Sequence, residues 1–183
     1  MMNIKKSIRL RIGKLSQFLR RCEDEYSLYE ARRKSGCNFF FVNQGTGGLT
    51  VGNAQNLQMD ATSHFKSGAC IECQGGVRIG RYFHTGRGLT IFSSNHKYNG
   101  GHSIPYDDES ELKPVIIEDF VWCGANVTIM PGVTIGEGAV IGGGSVVAKD
   151  IPKYAVAVGN PAKIVKYRDI EQFESLKAQG KFT

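Results

Sequence analysis

The sequence predicts an all-β solenoid, a parallel β-helix, preceded by amphipathic helices and followed by a short C-terminal helix. Three observations carry that prediction. A small or branched apolar residue stands at every sixth position in the ladder Ile117, Cys123, Ile129, Ile135, Ile141, Val147. A companion ladder, Val115, Val121, Val127, Val133, Ala139, Ser145, runs two residues behind it. Glycine follows the ladder position at Gly68, Gly80, Gly86, Gly124, Gly136 and Gly142, where a tight corner uses a residue free to take positive φ. Six residues are too few for a helical repeat, whereas a strict hexad makes one flat face of a solenoid coil.

At 183 residues, 41% hydrophobic and 22% charged, the chain suits one domain with terminal additions. Residues 1–40 form a basic amphipathic segment, in which Lys5, Lys6, Arg9, Arg11, Lys14, Arg20, Arg21, Arg32, Arg33 and Lys34 carry much of the +6 formal charge. Ile4, Ile8, Ile12, Leu15, Phe18, Leu19, Cys22, Tyr26 and Tyr29 recur mostly three or four apart, which predicts one or two amphipathic helices over residues 3–34. Such a helix packs against the coils or a neighbouring subunit, or makes peripheral contact with an anionic membrane. No stacking motif or reader module accompanies the charge, so nucleic acid is not an expected partner. No stretch approaches the roughly 20 apolar residues of a membrane span, and no apolar signal-peptide core is present. A cytoplasmic protein, within reach of the inner membrane face, is expected.

The solenoid is predicted over residues 41–163. Cut in sixes from Leu49, the upstream ladder reads Leu49, Gln55, Ala61, Ser67, Cys73, Ile79, Thr85, Ile91, and four positions on come Asn53, Met59, Phe65, Ile71, Val77, Phe83 and Leu89. The 26-residue step from Ile91 to Ile117 is not a multiple of six, so an excursion over residues 94–114 breaks the repeat. It holds Asn95-His96-Lys97, His102 and the acidic run Asp107-Asp108-Glu109. Loops on a rigid scaffold are where functional groups concentrate. Residues 164–183, with Ile164, Val165, Tyr167, Ile170, Phe173 and Leu176 among charges, predict a helical cap over the last open coil. The odd, scattered set Cys22, Cys37, Cys70, Cys73 and Cys123 argues for free thiols. Cys70 and Cys73 have CxxC spacing but no second pair, and the four histidines lack metal-site spacing, so no metal is expected.

The run Val121-Trp122-Cys123-Gly124-Ala125-Asn126-Val127-Thr128-Ile129-Met130-Pro131-Gly132-Val133-Thr134-Ile135-Gly136, the run from Val140 to Pro152 and Gly159-Asn160-Pro161-Ala162-Lys163 closely resemble the hexapeptide-repeat acyltransferases. Over residues 49–168 the chain is similar to maltose and galactoside O-acetyltransferases and to acetyltransferases of bacterial surface polysaccharides. The resemblance implies a left-handed β-helix, a homotrimer, acetyl-CoA as co-substrate in the grooves between subunits, and a sugar or oligosaccharide acceptor. It implies His96 as catalytic base, a role suited to a side chain whose ordinary titration lies near neutrality. Asn95 and His102 of the same loop are candidates for acceptor contact, and Asp107, Asp108 and Glu109 for a carboxylate orienting His96. By the same resemblance Ala125 and Gly143 meet the pantetheine arm, Ala148 and Lys149 the adenine end, and Lys163 and Lys166 the CoA phosphates. Trp122 either flanks the cofactor or packs in the core, while His64 and His84 take outward or corner positions. The acceptor-facing asparagine and aspartate of the sugar enzymes align with Lys66 and Gln74, which leaves the acceptor open. The alternatives are a xenobiotic O-acetyltransferase acting on a streptogramin- or chloramphenicol-like hydroxyl, because Asn95-His96-Lys97-Tyr98-Asn99-Gly100 also looks like that family's motif, N-acetylation of an amino sugar, and a non-catalytic β-helix binding scaffold.

Overall fold

The computed structural model describes residues 2–45 and 47–183, with side chains from residue 6 onward except residues 7 and 46. The side chains of Ile4 and Lys5 therefore lie outside the described residues. Helix α1 (Met2–Ser35) leads into coils that each lay one short strand on each of three faces. The first coil carries β1 (Phe40–Val42), β2 (Leu49–Gly52) and β3 (Leu57–Met59), and the second β4 (His64–Lys66), β5 (Ala69–Glu72) and β6 (Val77–Ile79). The third runs through β7 (His84–Thr85) and β8 (Thr90–Ile91), detours into a hairpin of β9 (Ser94–His96) and β10 (Ser110–Leu112), and resumes at β11 (Val115–Ile117). Then follow β12 (Trp122–Cys123), β13 (Thr128–Ile129), β14 (Thr134–Ile135), β15 (Val140–Ile141), β16 (Val146–Val147), β17 (Ala155–Val158), β18 (Lys163–Tyr167) and α2 (Ile170–Ala178).

Stacking the coils makes three sheets: β2-β5-β8-β13-β16 on a first face, β3-β6-β11-β14 on a second and β7-β12-β15-β17-β18 on a third, with β1 and β4 paired beneath it. The coil strands pair in parallel, as a solenoid requires, and among the described residues only β9 with β10 and β17 with β18 run antiparallel. Each hexad sends two residues inward, so Ile117, Ile129, Ile135, Ile141 and Val147 and their companions Val115, Val121, Val127, Val133 and Ala139 are at most 2% exposed. Burying such a side chain contributes on the order of 1.5–3 kcal/mol. Where the ladder turns polar at Ser63, Ser93 and Ser145, the hydroxyl bridges successive coils: the Ser63 Oγ–H donates to the Gly80 carbonyl at 2.7 Å, and Ser63 Oγ accepts from the Phe83 N–H at 2.8 Å.

The upstream register needs correction, because Asn53, Gln55 and Ala61 are exposed. Leu49 pairs with Ala69 and Cys70 with Thr90, each twenty residues on, whereas Thr128 pairs with Val146, eighteen on. Two extra residues sit in each of the first two coils at the corner between the first and second faces. Inward positions are themselves two apart, so each insertion moves one ladder onto the frame of the other. The true inward sets here are Leu57, Ser63, Ala69 and Met59, Phe65, Ile71.

The glycines also serve a different purpose from the one expected. Of the six glycines that follow the ladder, only Gly68 has positive φ. The others lie where coils nearly touch: a Cβ on Gly124 would stand 2.5 Å from Gly143 N, and one on Gly136 2.6 Å from Lys153 N. Left-handed corner residues come further along, and on the corner between the second and third faces they are Tyr82, Phe120, Gly138 and Tyr154. The C-terminal segment differs as well. Lys163–Tyr167 is a strand that pairs with the free edge of β17, as its β-branched and aromatic residues favour. The helix is confined to Ile170–Ala178, with the Asp169 carboxylate accepting from the Gln172 N–H at 2.9 Å as its N-cap.

Candidate active site

The corner between the first and second faces grows from two extra residues in each of the first two coils to the long hairpin of the third. Its base is pinned by Glu72 on β5, whose carboxylate accepts from the Ser93 N–H and the Ser94 hydroxyl, both at 3.0 Å. Ser93 is fully buried and donates back to the Glu72 carbonyl at 2.9 Å. Gly75 completes the seat, because a Cβ there would overlap the Ser93 carbonyl and stand 2.9 Å from Lys113 N. Above this base Asn95 pairs with Glu111 and His96 with Ser110, which leaves both loop residues exposed.

The His96 ring stacks on Tyr106 with centroids 3.9 Å apart and planes 17° apart. Among the described residues no carboxylate hydrogen-bonds the imidazole. Glu109 is held by Lys97 at 2.8 Å, and Asp107 accepts from the His102 N–H at 3.0 Å and the Ser103 hydroxyl at 3.1 Å. Those two bonds hold the Asp107 carboxyl below its ordinary range. His102 thus shapes the loop tip through its backbone, and its side chain is exposed with Asp108.

Ala148 and Lys149 share this corner with His96, two coils further along, and both are exposed. Ala125 and Gly143 stack on the corner between the third and first faces, where the Gly144 N–H donates to the Ala125 carbonyl at 2.8 Å. A Cβ on Gly143 would lie 3.2 Å from that same oxygen, so the two backbones run close together at this corner. Lys163 and Lys166 lie on β18, opposite Val158 and Val156. Among the described residues Lys149, Lys163 and Lys166 enter no salt bridge. A single chain therefore places these residues on two corners and one sheet edge, with the first face between the corners. Cys70 and Cys73 do not converge: Cys70 is exposed, and Cys73 is buried with its thiol pushed up to about 12 by desolvation.

The third face holds groups that the repeat pattern did not single out. Trp122 is 52% exposed, which excludes a core role, and with His84, Tyr82, Phe120, Arg168, Phe173 and Phe182 it lines a cavity of about 370 Å³ beneath α2. The His64 ring lies 4.4 Å from that of His84, tilted by 50°, and burial, then His84 and Lys66, push the His64 imidazole down to about 4. The outward position of both histidines was readable from their place in the hexad. The cavity was not, because its outer wall is chain that returns after α2.

Residues 114–149 match the family described as bacterial transferase hexapeptide (six repeats). A polysialic acid O-acetyltransferase of Escherichia coli O1:K1 is 57% identical over 71 residues, which are 36% of this chain and 23% of that protein. A Saccharomyces cerevisiae protein with a provisional acetyltransferase name is 48% identical over 75 residues, which are 38% of this chain and 37% of that one. The chain thus spans well under half the length of these curated relatives. Among solved structures, a hexapeptide-repeat acetyltransferase of Vibrio cholerae complexed with acetyl-CoA superposes with a TM-score of 0.64 at 23% identity, covering 88% of this chain and 87% of that one. A galactoside acetyltransferase complexed with CoA superposes with a TM-score of 0.60 at 24% identity, covering 84% and 83%. These likenesses establish the fold as a parallel β-solenoid consistent with the left-handed hexapeptide β-helix.

Proposed function

We propose that this protein transfers the acetyl group of acetyl-CoA to a hydroxyl of a sugar or oligosaccharide, in the cytoplasm and in the making of a surface polysaccharide. The observation that carries the reading is the hexapeptide solenoid broken by a pinned hairpin that presents His96 outward. In the proposed step the His96 imidazole takes the proton of the acceptor hydroxyl as its oxygen forms a bond to the thioester carbonyl carbon. The carbon–sulfur bond then breaks, and the thiolate leaves with the proton that His96 returns. No acyl-enzyme is required. Negative charge on the carbonyl oxygen calls for a positioned donor.

The Ala125–Gly143 track fits the pantetheine arm, since small residues leave the corner backbone open. Lys149, Lys163 and Lys166 fit the phosphates as unpaired point charges. Acetyl-CoA and CoA in the matching structures, and the polysialic acid acceptor in the Escherichia coli relative's name, support the donor and the acceptor class. Because His96 and the Ala125–Gly143 track lie on different corners of one chain, a homotrimer with sites between subunits is the assembly that this reading proposes.

The test is thiol release from acetyl-CoA with neutral and acidic oligosaccharides, nucleotide-linked sugars, amino sugars and two antibiotics offered as acceptors. Release with hydroxyl-bearing saccharides supports the reading. Release only with an antibiotic or an amine would move the assignment to those alternatives, and no release together with no CoA binding would leave a scaffold.

A further inference from the structure

Helix α1 is docked at one end only. Ala31 is buried, Leu28 packs against the core, the Arg32 guanidinium donates to the Phe39 carbonyl at 2.6 Å, and the Asp24 carboxylate lies where a Cβ on Gly48 would point. Ahead of Asp24 the helix stands clear of the coils, and Ile8, Ile12, Leu15, Phe18 and Leu19 are 51–61% exposed. At about 100° per residue these five fall with Cys22 and Tyr26 in one arc roughly 120° wide. Lys6, Arg9, Lys14, Arg20 and Arg21 lie outside the arc. Leu10 is the large apolar residue on the basic side, and Arg11 is the cation inside the arc.

The charge pattern changes where the packing changes. Residues 2–22 hold seven lysines and arginines and no carboxylate, and Glu23, Asp24 and Glu25 begin where the helix meets the solenoid. The free stretch from residue 6 to residue 23 is about 27 Å long. Among the described residues no helix is long and apolar enough to cross a membrane.

We propose that the free half of α1 lies in the surface of an anionic lipid bilayer, its apolar arc at the level of the upper acyl chains and its lysines and arginines against acidic headgroups. A second copy of the helix is a poorer occupant. Two such helices side by side set seven cations against seven, with no carboxylate in the stretch to answer them, whereas the bilayer supplies the missing anions. This inference stands on α1 alone and does not depend on acetyl transfer.

The experiment is co-sedimentation of the full chain with vesicles of phosphatidylcholine alone and with vesicles containing about one-third phosphatidylglycerol. Wild type is expected to bind the anionic vesicles at least about 10-fold more tightly, with the preference shrinking as salt rises. Leu15→Glu/Phe18→Glu should abolish the binding and Arg20→Glu/Arg21→Glu should weaken it, while both leave the thermal melt and the light-scattering mass unchanged. Equal binding to both vesicles, or none, overturns the proposal. So does a fall in mass for Leu15→Glu/Phe18→Glu, which assigns the apolar arc to a second copy.

Discussion

Gly75 shows how one residue sets the geometry of the candidate site. It lacks a side chain because the Ser93 carbonyl and Lys113 N occupy that space, and both belong to the two backbone segments that carry the hairpin. Gly75→Ala is expected to lower stability by about 2 kcal/mol, read as a shift of the urea midpoint, because neither backbone neighbour can yield as a flexible side chain would. His64 makes a different prediction. Unfolded, it takes a proton near the ordinary histidine value, and folded only near pH 4. Between those values the unfolded chain binds more protons, so stability falls as pH drops through the window. Discounted for its partial exposure, the loss is about 1 kcal/mol. Melting wild type and His64→Gln across that window checks it: the variant should lose less on acidification, and parallel curves would remove His64 as the cause.

At the scale of elements, α2 is fixed by a substitution of one ring for another. Tyr82, Phe120 and Tyr154 line the corner between the second and third faces with left-handed backbones, and Gly138 interrupts them without a side chain. Phe173 fills the gap: a Cβ on Gly138 would meet its ring at 2.9 Å, and the ring meets Phe120 and Tyr154 edge-on at 5.9 and 5.2 Å. Phe173→Ala should cost about 1–2 kcal/mol of docking. Hydrogen exchange is the check, with α2 amides losing protection while those of β13 and β15 keep theirs. This docking was not legible in the sequence, where Ile164 to Lys177 reads as one helix. Periodicity describes neighbours along the chain, and β18 is a strand because the open edge of β17 is there to pair with. The hexads from Val115 to Val147 were legible because paired strands there lie a constant eighteen residues apart, whereas upstream a two-residue insertion imitates a correct frame. The hairpin that carries His96 was legible for the converse reason, since a break in a strict period marks its own position. The Trp122–His84–Arg168 cavity left no such mark.

For the whole molecule, the three-faced cross-section separates the proposed chemistry from the proposed cofactor track. The hairpin and Lys149 share one corner, Ala125 and Gly143 another, and Lys166 the outer edge of the third face. In the proposed trimer a neighbour's corner would stand beside the hairpin, which is why transfer and trimer formation are proposed together. The measurement that bears most directly on the account is turnover and CoA affinity of His96→Ala beside wild type, with the best acceptor from the panel. His96→Ala should lower kcat by about 10²- to 10⁴-fold with CoA affinity unchanged, because the proposed base acts on the acceptor and touches neither the track nor the lysines. Turnover within about two-fold of wild type would contradict it and remove His96 as the base.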